Sequence, residues 1–144
     1  MTCAIMAVVI AAGFVGFSEA IRIQDAQGAA DRIGYAIKEA RYFSRAKGIK
    51  TSINCPVGAN TFSVFAGEQA ISDENRIDAL SGNLPGDTKI LVNTCEGIMF
   101  NENGKPIDAD GNNIYTECAI TVGYESGAQK TVVIAGGTGN VDIR

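Results

Sequence analysis

The first seventeen positions of the chain, MTCAIMAVVIAAGFVGF, carry no charged side chain, and the first charge met is Glu19. As a helix this run is about 26 Å long, just short of a bilayer core. Ser18, Ala20, Ile21 and Ile23 extend it far enough for a tilted helix to reach the far interface. A secretory leader would place Lys or Arg ahead of the apolar run, whereas here the first is Arg22, behind it. A helix apolar all round would need more protein around it than this chain owns. The pattern therefore predicts a helix buried in lipid or in a filament. It continues directly into an amphipathic segment, where Ile33, Ala36, Ile37, Ala40 and Phe43 recur on one helical face. Gly48 sits where a helix C-terminus wants a left-handed residue, with Arg45 and Lys47 placed against the negative end of the dipole. One helix over residues 2–47 would be about 70 Å long, so its two halves must bury themselves in different places.

From Ile49 onward the period becomes two. Short β-branched and aromatic runs at 50–55, 61–65, 89–92, 97–100, 114–122 and 130–135 predict strands, with Gly, Pro, Asn and Asp in the gaps. The turn sequences Asn101 to Gly104 and Asp108 to Gly111 predict one long hairpin connection between flanking strands. The fold class expected is α+β: one long N-terminal helix, apolar in its first half, packed on an antiparallel β-sheet domain. Its parts are a membrane or filament-core helix (1–24), an amphipathic helix half (25–48) and a β-rich globular head (49–144).

Charge divides at the same boundary. Residues 1–50 hold seven basic and four acidic residues, and residues 51–144 hold five and twelve, for net charges of +3 and −7. The basic residues between Arg32 and Lys50 form a solvated face, or a belt that meets the acidic β domain of a neighbouring copy or anionic lipid. The overall charge of −4 argues against a nucleic-acid binder that works through phosphate contacts. There is no His among the 144 residues, which removes the usual general base and the commonest metal ligand.

Other chemistry is sparse. Gly136 to Gly139 follows a strand but lacks the Lys and the downstream helix of a phosphate loop. Asp108, Asp110 and Asn112 alternate like the start of a calcium loop. The glycine offset is wrong, however, and Ala119 stands where a closing Glu is needed, so the segment reads as a polar turn and only a weak metal candidate. No cofactor motif, small-molecule site or catalytic constellation emerges, and the chain does not read as an enzyme. The four cysteines leave three states open: Cys95–Cys118 across an antiparallel pair, Cys55–Cys118, or reduced thiols throughout. Cys3, in the apolar run, reads as a small buried hydrophobe.

The head of the chain carries a family likeness. Thr2, then Met6 to Ala11, small residues and a long helix resemble the start of mature type IV pilins and type II secretion pseudopilins. Downstream, Glu39 to Arg41, Ser52 to Pro56, Gly97 to Phe100 with Asn103-Gly104, the Cys118 strand and Val132 to Ile134 leading to Gly139 resemble the FimT/GspH-type minor pilin branch. The resemblance implies a non-enzymatic filament subunit. Met1 would be the first residue after leader removal and the N-methylated one. Ile5, Met6, Val8, Val9, Ile10, Phe14 and Phe17 would form the assembly helix. Gly13 and Gly16 each weaken a helix by about 1 kcal/mol relative to Ala, and mark where it would loosen in a filament. Partners would be further copies and other pilins in a helical filament. The chain would sit in the bacterial inner membrane as a single span before assembly, then in an extracellular or periplasmic filament. Two departures stand out. The family's Glu at the fifth mature position is Ile5 here. The Gly-Arg-x-Arg-like end of DNA-binding members is replaced by Gly139 to Arg144, with Asn140 and Asp142, which argues against nucleic acid as a partner. The alternative from another class is a membrane-anchored binding module, for calcium, DNA or a surface ligand, that does not polymerise.

Overall fold

One helix, α1 (Thr2–Lys47), supplies a third of the chain, and everything after it wraps the helix's second half. The computed structural model describes the backbone of residues 2–67, 73–95 and 97–144; for residues 2–15 and residue 73 it describes no side chains. The helix stops at Gly48, whose φ of +64° only glycine adopts without strain, and the Ile49 amide closes the last turn on the Ser44 carbonyl at 3.2 Å.

The strands are β1 (Thr51–Asn54), β2 (Thr61–Ala66), β3 (Gly82–Asn83), β4 (Lys89–Asn93), β5 (Ile98–Phe100), β6 (Pro106–Ile107), β7 (Cys118–Gly123), β8 (Gln129–Ile134) and β9 (Val141–Ile143). They build the antiparallel β domain expected, in two sheets. One has the order β3-β2-β1-β5-β6, the other β4-β7-β8-β9. Short 3-10 turns at Asp73–Asn75 and Asp78–Leu80 lead into β3.

The connection at 101–113 differs from the single long hairpin expected. Asn101 to Gly104 turns β5 back onto β6, with Met99 opposite Ile107, and the chain then turns again so that Ile107 bridges Asn113. Residues 114–117 are irregular, and the strand expected from 114 begins only at Cys118, in the other sheet. The physical reason is that Ile114 bonds sideways, its amide to Pro106 and its carbonyl to the Gly137 amide, tying the two sheets together instead of extending either.

The core lies between α1 and both sheets. Ile33 and Ile37 of the helix are fully buried with Val64, Ile90, Phe100, Ile120, Val122, Val132 and Ile134. Around them the helix presents Ala26, Ala29, Ala30, Ala36 and Ala40, all buried. Such small side chains let a helix lie close to a sheet, so the two isoleucines reach deep between strands. Phe43, at the end of the expected stripe, is only half-buried.

Cys95 and Cys118 form a disulfide with Cα atoms 5.5 Å apart. They continue the register of β4 on β7, in which Asn93 faces Ile120. Cys55 is free and buried, so a Cys55–Cys118 bridge does not form. The bridge closes a loop of 23 residues, which constrains the unfolded chain by about 3 kcal/mol. Denaturation of the Cys95→Ser/Cys118→Ser chain should show a loss of that size, and an unchanged midpoint would mean that the bridge carries no stability.

Candidate assembly surface

The helix leaves its domain at a defined point. Asp25 and Ala26 are the first residues to pack on the strands; from Gly16 to Gln24 every described side chain is exposed. Phe17 (68% exposed), Ile21 (43%) and Ile23 (54%) stand bare on this neck. Apolar groups of this size in water cost about 1.5–3 kcal/mol each relative to burial. Phe17 and Ile21, four positions apart, share one face of the neck, and Ile23 lies on another.

The neck is anchored on the hairpin joining β7 to β8. The Tyr124 hydroxyl donates to Asp25 Oδ2 at 2.8 Å, and the Arg22 guanidinium lies 5.4 Å above the Tyr124 ring. Burial, then the hydrogen bond to Asp25, push the Tyr124 phenol above its ordinary range, so it stays a donor. Beside it an open cleft of about 390 Å³ is lined by Arg22, Asp87, Lys89, Tyr124, Glu125 and Ser126, with Lys89 paired to Glu125 at 3.2 Å. The sequence reading missed this anchor, because nothing local links Asp25 to a tyrosine 99 positions away.

The basic belt is split in its use. Arg32 donates to the Asn83 carbonyl at 2.7 Å. Arg41 donates to the Gly104 carbonyl at 3.0 Å and to Asn140 Oδ1 at 3.1 Å. These two arginines clamp the helix to its own loops. Gly104 is required there: its φ is +72°, and a Cβ would lie 2.5 Å from Arg45 Cδ. Lys38, Arg45 and Lys47 remain exposed.

On the side of α1 facing away from both sheets lie two more bare aromatics, Tyr35 (61% exposed) and Tyr42 (68%). The molecule thus consists of a helix that runs past its domain, a two-sheet head clamped to the helix's second half, and an outer helix face left open.

This architecture has known counterparts. Two crystal forms of the type IV minor pilin FimU of Pseudomonas aeruginosa superpose on it. One gives a TM-score of 0.64 at 14% identity over 84% of this chain and 89% of that one; the other gives 0.60 at 16% over 82% and 91%. The chain has the pilin fold. No protein-family model matches the sequence, and neither does any curated protein.

Within this pilin fold the other expected residues take the following places. Asp108 is committed to its own turn: Oδ1 accepts from the amides of Asp110 (3.0 Å) and Asn112 (2.8 Å), and Oδ2 from the Asn112 side chain (3.4 Å). The Asn112 amide bond, foremost among these contacts, holds the carboxyl below its usual range. The weak metal candidate Asp108, Asp110 and Asn112 is therefore a hydrogen-bonded turn. Among the described residues no cluster of three metal-ligating side chains occurs. Cys55 is pushed up to about 12 by burial, so its thiol stays protonated and unreactive at neutral pH.

Met1 and the side chains of Cys3, Ile5, Met6, Val8, Val9, Ile10 and Phe14 lie outside the described residues. The helix backbone runs unbroken through Gly13 and Gly16. Among the described residues no helix is long and apolar enough to cross a membrane; most side chains of the uncharged run lie outside the description.

Proposed function

We propose that the chain is a structural subunit, a pilin or pseudopilin, of a type IV pilus-like or type II secretion filament. The observation that carries this reading is the pilin-fold helix that outruns its own domain, with Phe17 and Ile21 bare at the neck and an uncharged run beyond them. Residues 1–24 form the assembly helix, 25–48 the half that the head holds, and 49–144 the outer shell. Before assembly the uncharged run spans the inner membrane. Afterwards it packs with the helices of other copies and other pilins, in a periplasmic or extracellular filament. Ile5 brings no carboxylate into this core, so no unpaired charge has to be buried there. The subunit acts by repeated apolar burial and performs no reaction.

The test is expression of the full chain with its assembly machinery, followed by electron microscopy of sheared filaments. Filaments containing the chain are expected, with the helix loosened at Gly13–Ser18. A detergent-soluble monomer that never self-associates with the machinery present would overturn the subunit reading. Continuous helical density through Gly16 would overturn the loosening alone.

A further inference from the structure

The cleft beside the neck carries charge of both signs. Arg22 and Lys89 supply two cations, Asp87 and Glu125 two anions, and all four residues are exposed. Past Arg22 it continues into a second cleft of about 230 Å³, to which Glu19 and Ser126 belong. The frame around these charges is tight. Gly86 lies against the bond between Tyr124 and Asp25: at its φ of +57°, a Cβ would stand 2.6 Å from Asp25 Oδ2 and 3.0 Å from the Tyr124 hydroxyl. Only glycine lets the turn that carries Asp87 approach the neck so closely. Lys89 bonds Glu125 Oε1, which leaves Oε2 unbonded. Arg22 and Asp87 have no ion-pair partner among the described residues.

Height along the helix says what meets this cleft. The uncharged run gives way to Glu19, and Arg22 lies five residues beyond Phe17, about 7.5 Å further along the axis. The polar layer outside a bilayer's hydrocarbon core is about 5–8 Å deep on each side. In the membrane-anchored state the cleft therefore opens among lipid headgroups.

We propose that the cleft binds the headgroup of one zwitterionic phospholipid, a phosphodiester carrying a primary ammonium, while the subunit is in the membrane. The proposal rests on the membrane stage of the reading above. Arg22 presents its planar fork of donors to the phosphate, and Asp87 with Glu125 Oε2 accepts from the ammonium. The four charges of the cleft sum to zero and Glu19 makes its rim negative. An anionic headgroup is thus drawn by Arg22 and repelled by three carboxylates. A quaternary ammonium has no N–H to donate, and its usual aromatic partner, here the Tyr124 ring, is already engaged by Arg22. The site selects a pair of opposite charges, not a net charge.

The experiment offers the full chain, in mild detergent, equal amounts of phosphatidylethanolamine, phosphatidylcholine and phosphatidylglycerol with the same acyl chains. Native mass spectrometry counts the lipid retained. One phosphatidylethanolamine per chain is expected, in excess over the other two. Arg22→Gln should lower its retention by up to about fivefold, the upper end for an exposed ion pair. Asp87→Asn with Glu125→Gln should turn the preference to phosphatidylglycerol, a reversal that loss of structure would not produce; near-UV circular dichroism checks the head in each variant. Soluble glycerophosphoethanolamine should displace the lipid only at much higher concentration, and displacement at equal concentration overturns the bilayer as the source. Retention without headgroup preference, a preference for phosphatidylglycerol in the parent chain, or retention that the variants leave unchanged overturns the site and leaves the subunit reading standing. A chain that carbonate strips from membranes overturns the site and the membrane stage together.

Discussion

Replacing Phe100 by alanine is expected to lower the unfolding free energy by about 3–5 kcal/mol. Phe100 is fully buried at the end of β5, opposite Thr51 of β1 on one side and Pro106 of β6 on the other. It also reaches the C-terminal turn: a Cβ added at Gly139 would lie 3.1 Å from its Cε1. The ring therefore sits where the β1-β5-β6 ladder meets the C-terminal turn, and neither can collapse into the space it leaves without giving up its own register. For a domain whose total stability is about 5–15 kcal/mol, such a loss consumes a large fraction. Denaturant titration of the detergent-solubilised chain, followed by near-UV circular dichroism, measures it. Val92→Ala, on the exposed outer side of β4, serves as the reference and should change little. A Phe100→Ala loss below about 1 kcal/mol would mean that the core relaxes around this position and that the ring is not its centre.

What could be read from the sequence followed what is local. The long helix rests on period, charge placement and the Gly48 stop, all of which act within a few residues. Its observed limits, Thr2–Lys47, follow from those signals. The strands around Ile53, Val64, Ile90 and Val132 carry their own β-branched signature. By contrast β3, β6 and β9 have two or three residues each, too few for a period, and exist because a neighbouring strand supplies their bonds. The division into two sheets depends on Ile114 bonding sideways to Pro106 and Gly137, a choice that no local pattern encodes.

The candidate surface divides the same way. Arg32 and Arg41 looked like members of a free basic belt because their acceptors are backbone carbonyls and an asparagine, which leave no charge signal.

The largest functional effect is expected at the other end of the helix. Val9→Lys should abolish assembly while leaving the head intact. Val9 lies near the middle of the uncharged run of residues 1–17. A lysine at the centre of a membrane helix costs about 2.5–3.5 kcal/mol, and the valine it replaces contributes a few tenths favourably. The net change lowers stable insertion by about 100-fold or more. In a filament the penalty recurs in every copy, and each ammonium would be buried among apolar helices with no carboxylate nearby, since none occurs before Glu19. The head should not register the change, because its first described contacts with the helix, such as Arg22 over Tyr124, lie well beyond Val9. Carbonate extraction of membranes reports insertion, electron microscopy reports filaments, and near-UV circular dichroism reports the head. Val9→Leu, which keeps the run apolar, should behave as the parent does. Normal insertion and filament number in the Val9→Lys chain would show that residues 1–24 are not the assembly helix, and the subunit would then have to associate through its head alone.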